Sequence, residues 1–139
     1  LGRAVSLSDD GSIIALGSNF EGTTKVFQFA SGSWSQLGGN VTSSNVNYVT
    51  SATISDDGTI VTFGGPGNLL DNPGSFATYK YSSNTWTNIV SVTSTNAQDL
   101  FGWATSTSND GSIVAIGDWD VNGASSNSLA KIVKIEIEN

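Results

Sequence analysis

One hairpin is written three times along this chain. It reads Ser6-Leu7-Ser8-Asp9-Asp10-Gly11-Ser12-Ile13-Ile14-Ala15-Leu16-Gly17, then Thr53-Ile54-Ser55-Asp56-Asp57-Gly58-Thr59-Ile60-Val61-Thr62-Phe63-Gly64, then Thr105-Ser106-Thr107-Ser108-Asn109-Asp110-Gly111-Ser112-Ile113-Val114-Ala115-Ile116-Gly117. In each copy an alternating segment runs into an Asp-Gly turn, where glycine accepts a positive φ that other residues resist and the Asp side chain can bond nearby amides. Gly11, Gly58 and Gly111 lie 47 and 53 residues apart. That period suits a four-stranded antiparallel unit rather than a helical hairpin.

Within each unit the strands differ in pattern. Val5 and Leu7 alternate with Ser6 and Ser8, which predicts one buried face and one wet face for the first strand. The second strand is nearly all apolar, as in Ile13-Ile14-Ala15-Leu16, Ile60-Val61-Thr62-Phe63 and Ile113-Val114-Ala115-Ile116, and such a run is expected to be buried on both faces. In the third strand Phe27 and Phe29 match Tyr79 and Tyr81, with Gln28 and Lys80 expected in water. Short turns at Ser31-Gly32-Ser33 and Ser83-Asn84-Thr85 then open a fourth strand carrying Trp34 or Trp86.

The third unit ends on Lys131-Ile132-Val133-Lys134-Ile135-Glu136-Ile137, with no Trp-bearing fourth strand after it. The charges alternating along that segment discourage edge pairing. No stretch carries an amphipathic helical period. The expected fold is all-β, with about three four-stranded antiparallel β-propeller blades at residues 1–48, 49–98 and 99–139, the last incomplete. Propellers typically have about four to eight blades, and an open arc exposes apolar faces and strand edges. The chain is therefore expected to be an excerpt of a larger propeller or a subunit completed by neighbouring repeats or subunits, and the opening residue Leu1 points the same way.

Composition removes whole classes of chemistry. Among the 139 residues, 12 acidic against 5 basic side chains leave a net charge of -7, which repels phosphate backbones and argues against nucleic acid and anionic membranes as partners. No apolar run reaches the roughly 18 residues of a membrane span. The chain contains neither Cys nor His. Disulfides, thiolate nucleophiles and histidine-based triads or metal sites cannot be assembled from it. Abundant Ser, Thr, Asn and Gly with little Lys suit an extracellular or surface-exposed protein, in which the sequon Asn40-Val41-Thr42 would make Asn40 a glycosylation site.

Taken together, Phe101-Gly102-Trp103-Ala104, the Ser108 to Gly117 hairpin, the Val26-Phe27 strand and Ser33-Trp34-Ser35-Gln36-Leu37-Gly38 resemble the FG-GAP type of β-propeller repeat. Leu1-Gly2 looks like a variant of the Phe-Gly opening, and Gly64-Gly65-Pro66 resembles the Gly-Ala-Pro element. The resemblance covers essentially the whole chain. It implies a secreted or cell-surface domain, as in integrin-like adhesion receptors, that binds partners on its loops and often carries calcium. The integrin-like calcium loop between the first two strands is replaced here by the short Asp9-Asp10-Gly11 type of turn. The sialidase Asp-box needs one more residue between its Asp and Gly than these turns supply.

Residues shared by all units serve the blade, whereas unshared ones are free to serve function. Trp34 and Trp86 recur and are read as packing between blades. Trp119 and Trp103 do not recur, which makes them candidates for contact with a protein or glycan partner. Asp118, Asp120 and Asn122, followed by Gly123, have the spacing that wraps three oxygens around Ca²⁺. The bidentate Glu expected further on is replaced by Leu129, and Ser126 is the nearest later side-chain oxygen; the alternative is a solvated acidic loop. Adjacent carboxylates at Asp9-Asp10 and Asp56-Asp57 point apart in water and do not suit acid-base catalysis. The chain thus reads as a non-enzymatic extracellular or surface adhesion module, with no catalytic residues and no cofactor beyond the calcium. A carbohydrate-active propeller, lectin or glycoside hydrolase-like, is the alternative.

Overall fold

The computed structural model describes residues 1–19, 22–67, 73–95, 100–118 and 130–136. These residues form strands and turns, with no helix among them. The first sheet contains β1 (Ala4–Leu7), β2 (Ile13–Gly17), β3 (Thr23–Ala30) and β4 (Ser33–Gln36) in that order, with the short β5 (Val41–Thr42) also paired to β3. The second has β6 (Ser51–Ile54), β7 (Ile60–Gly65), β8 (Ser75–Ser82) and β9 (Thr85–Thr93) in sequence order. The third has β10 (Ala104–Thr107), β11 (Ile113–Gly117) and β12 (Ala130–Lys134). All pairings are antiparallel.

The turns follow from their residues. Ser31 and Gly32, and likewise Ser83 and Asn84, all have positive φ, the backbone of the two-residue hairpin turns whose twist matches that of the strands they join. Each repeated Asp-Gly turn is built on a serine-aspartate pair. The Ser8 N–H bonds Ile13 O, and Gly11 N–H closes the turn on Ser8 O. Ser8 Oγ donates to Asp10 at 2.8 Å while accepting the Ile13 N–H, and Asp10 accepts the N–H and hydroxyl of Ser12. Ser55-Asp57-Thr59 and Ser108-Asp110-Ser112 repeat the arrangement.

The sheets stack face to face. Ala4, Ile13, Ala15 and Val26 of the first sheet meet Ala52, Ile54, Val61, Phe63 and Ala77 of the second in one apolar core, with Leu37, Tyr79 and Trp86 at its border. A second core joins Phe76 to Phe101, Val114, Ile116 and Ile135. Hydroxyls tie the innermost strands together: Thr53 and Thr107 meet at 2.6 Å, Thr105 donates to Ser51 at 3.1 Å, and Ile54 N–H bonds Ser6 Oγ.

Stacking corrects three expectations. Val5 and Leu7 are 56% and 54% exposed, whereas Ala4 and Ser8 are buried, because the neighbouring sheet covers the opposite face of β1. Burial on both faces holds for β7, which is enclosed throughout, but not for β2 or β11, where buried and partly exposed residues alternate; among the described residues only the middle sheet has a neighbouring sheet on each side. Trp86 packs between sheets and donates Nε1–H to Leu37 O at 2.9 Å. Its equivalent Trp34 remains 48% exposed on the outer face, tilted against Phe29.

Candidate functional site

The three repeated carboxylates are structural. The Ser112 N–H, then the hydroxyls of Ser108 and Ser112, pull the Asp110 carboxyl down to about 2. Asp10 is lowered by the same donors in its own turn, led by the Ser12 N–H. For Asp57 burial pushes upward, and the Thr59 N–H with the Ser55 and Thr59 hydroxyls outweigh it. A lowered folded-state value means that the ionised form stabilises the fold above the ordinary carboxylate range and ceases to do so as pH falls through the folded value. Urea unfolding is therefore expected to show stability steady above pH 4 and falling from there toward about pH 2, with a shallower fall in Asp110→Asn. A carboxylate bonded to its own turn is poorly placed to trade protons with a substrate.

Unshared residues gather at the other end of the sheets. Ala104 pairs with Gly117, so Trp103 and Asp118 occupy the next positions at the same edge of the third sheet. Phe101 anchors this edge, packing edge-on against Phe76 with ring centroids 5.9 Å apart. Gly102, at φ +86°, donates to Gly117 O, and Ser51 Oγ donates to its carbonyl. Thr50 Oγ1 donates to Trp103 O at 3.1 Å. The second sheet thereby holds the turn that presents the Trp103 ring, which is 37% exposed.

Beside this turn is a cleft of about 350 Å³ lined by Val92, Thr93, Ser94, Thr95, Phe101, Asp118, Ala130 and Lys131. It combines an apolar floor with hydroxyls and one charge of each sign. Asp118 lies here at the end of β11. The sequence expectations at Trp119, Asp120, Asn122, Ser126 and Leu129 fall outside the described residues, so the calcium set is represented only by Asp118. Asn40 is exposed and accepts a hydrogen bond from Gln36 Nε2 at 3.0 Å, while Val41 and Thr42 of its sequon are held in β5. Asn40 lies in the first sheet's connection, apart from the cleft. Nothing in the sequence marks the cleft's lining by the end of β9 and the two residues after it, because Val92 to Thr95 carry no motif and reach the site only through stacking of the second and third sheets.

No protein-family model matches the chain, and no curated protein sequence matches it. Solved structures do. Hydrazine synthase of Kuenenia stuttgartiensis superimposes with a TM-score of 0.64 at 12% identity, over 94% of this chain and 33% of that one. A proposed 6-phosphogluconolactonase from Bacteroides fragilis gives 0.55 at 18% identity, over 95% of this chain and 38% of the other. Both are propeller proteins, and the chain spans a third of the first and less than two fifths of the second. The likeness establishes the fold: three consecutive antiparallel blades of a β-propeller, with β1, β6 and β10 innermost.

Proposed function

We propose that these blades form a non-enzymatic extracellular or surface-exposed module that binds a protein or glycan at the cleft between the second and third blades, beside Trp103. The observation that carries this reading is a preformed cleft whose Phe101 wall belongs to the same hydrogen-bonded turn as the exposed Trp103. Aromatic anchors next to a few convergent polar groups are the usual makeup of a recognition site. The FG-GAP resemblance supports the same reading, since the Phe101-Gly102 turn that carries Trp103 is the element after which that repeat is named. Fold likeness to two enzymes supplies no reaction here.

Trp103→Ala is expected to lower affinity for a glycan or protein ligand found by array screening by about tenfold or more, with the melting temperature nearly unchanged. Hydrolysis of a bound glycan that disappears in Asp118→Asn would overturn the non-enzymatic reading in favour of a carbohydrate-active propeller.

Calcium at Asp118, Asp120 and Asn122 belongs to this proposal as a support for the loop after β11. A ligand that binds only the folded state stabilises it by about 2.7 kcal/mol at a hundred times its dissociation constant. Thermal unfolding in Ca²⁺ is therefore expected to lie a few degrees above unfolding in chelator. Coincident curves would remove the metal.

A further inference from the structure

Every Asp-Gly bond in the chain, at Asp10-Gly11, Asp57-Gly58 and Asp110-Gly111, lies in one of the three repeated turns. The turn needs its glycine, since Gly11, Gly58 and Gly111 stand at φ +69°, +73° and +75°, where a side chain would be strained. The same glycine opens a side reaction. With no Cβ in the way, the glycine nitrogen can attack the Cγ of the aspartate before it and close a five-membered imide.

In that step an N–Cγ bond forms, and the amide proton and the carboxyl OH leave together as water. Water then reopens the ring at either carbonyl. Breaking the N–Cγ bond restores aspartate, whereas breaking the bond from nitrogen to the main-chain carbonyl carbon leaves isoaspartate, with one extra methylene in the backbone. No oxidant or reductant is needed.

Ring closure requires a free amide nitrogen, a neutral carboxyl, and rotation of that carboxyl onto the next nitrogen. The turn opposes all three. Gly11 N–H is held by Ser8 O at 3.0 Å, Gly58 N–H by Ser55 O at 2.9 Å and Gly111 N–H by Ser108 O at 2.8 Å. The Asp10 carboxylate accepts from Ser8 Oγ at 2.8 Å and from Ser12 N–H at 2.9 Å, one residue beyond the nitrogen that would attack it. Ser55 with Thr59 hold Asp57 in the same way, and Ser108 with Ser112 hold Asp110. These donors favour the ionised carboxylates, which lack the OH that must leave.

One hydroxyl fastens both arms of each turn. Ser8, Ser55 and Ser108 donate to the aspartate two residues on and accept the N–H of Ile13, Ile60 and Ile113, each at 2.9 Å. We propose that Asp10, Asp57 and Asp110 are latent isoaspartate sites, each kept closed by the serine two residues before it. A site converts when its own serine lets go or the chain unfolds. The added methylene lengthens the link between the paired strands, so a converted turn no longer reforms its closing bonds.

The test incubates the 139-residue chain at neutral pH for several weeks, folded or in urea, and locates isoaspartate by peptide mapping with electron-transfer fragmentation. The folded chain is expected to stay nearly unmodified at the three sites, and urea to release all of them. Ser8→Ala removes two hydrogen bonds and is expected to speed conversion at Asp10 by about tenfold or more, with Asp57 and Asp110 at the parent rate. Ser55→Ala should move the effect to Asp57. The two untouched turns report on general loosening, which would speed all three sites together. Ser12→Ala, at a half-buried position, removes a hydroxyl donor without disturbing the serine that fastens the turn, and should give a smaller rise at Asp10 alone. Conversion in the folded parent at the urea rate overturns the proposal. In variants whose circular dichroism matches the parent, so does an aspartate that stays at the parent rate, or an equal rise at all three sites.

Discussion

Phe63→Ala is expected to lower the unfolding free energy by about 3–5 kcal/mol, read from urea midpoints at constant slope. Phe63 has no solvent exposure, and its ring stacks on Tyr79 with centroids 5.7 Å apart and planes at 15°. It belongs to the core between the first and second blades, beside Val61, Ala52 and Ala77. Removing the ring forfeits its transfer free energy and leaves a hole between two sheets whose backbone bonds prevent them from closing in. Leu16 occupies the corresponding place in the first blade but is only half-buried. Leu16→Ala should cost well under half as much in the isolated arc, and a cost equal to that of Phe63→Ala would contradict the stacking described above.

Gly102→Ala is expected to cost about 3 kcal/mol or more, from two separable causes. At φ +86° an L side chain is strained by roughly 1–2 kcal/mol. In addition, the new Cβ would overlap Ser75 O, a strand carbonyl of the neighbouring blade that cannot swing aside, and overpacking of this kind costs about 1–3 kcal/mol. Gly2 provides the control. It has φ +91°, donates to Gly17 O just as Gly102 donates to Gly117 O, and has nothing within 4 Å of a Cβ. Gly2→Ala should therefore show the backbone cost alone. Equal losses in the two variants, measured by the same unfolding curves, would assign the whole effect to φ and none to the junction between blades.

Much of the strand plan was readable from local chemistry. The Asp-Gly turns were legible because Gly11, Gly58 and Gly111 follow an aspartate in the same context three times, and all three adopt positive φ. What each carboxylate does was less visible. Ser8, Ser55 and Ser108 look like polar residues of an alternating strand, yet their hydroxyls bond Asp10, Asp57 and Asp110 inside the turn. At the candidate site the unshared residues Trp103 and Asp118 stood out by comparison within the repeat. The cleft beside them did not, because Val92, Thr93, Ser94 and Thr95 come from a different blade and meet Phe101 only when the sheets stack.

Period, turn chemistry and strand alternation are properties of neighbouring residues, so the amino-acid order alone determined that this protein is a set of repeated antiparallel sheets. Which face of each sheet is covered was decided by tertiary structure. Val5 and Ala52 hold the same place in their strands, as do Trp34 and Trp86, yet one member of each pair is exposed and the other packs between blades. Burial depends on whether another sheet lies about 10 Å away, and no local pattern encodes the presence of that neighbour.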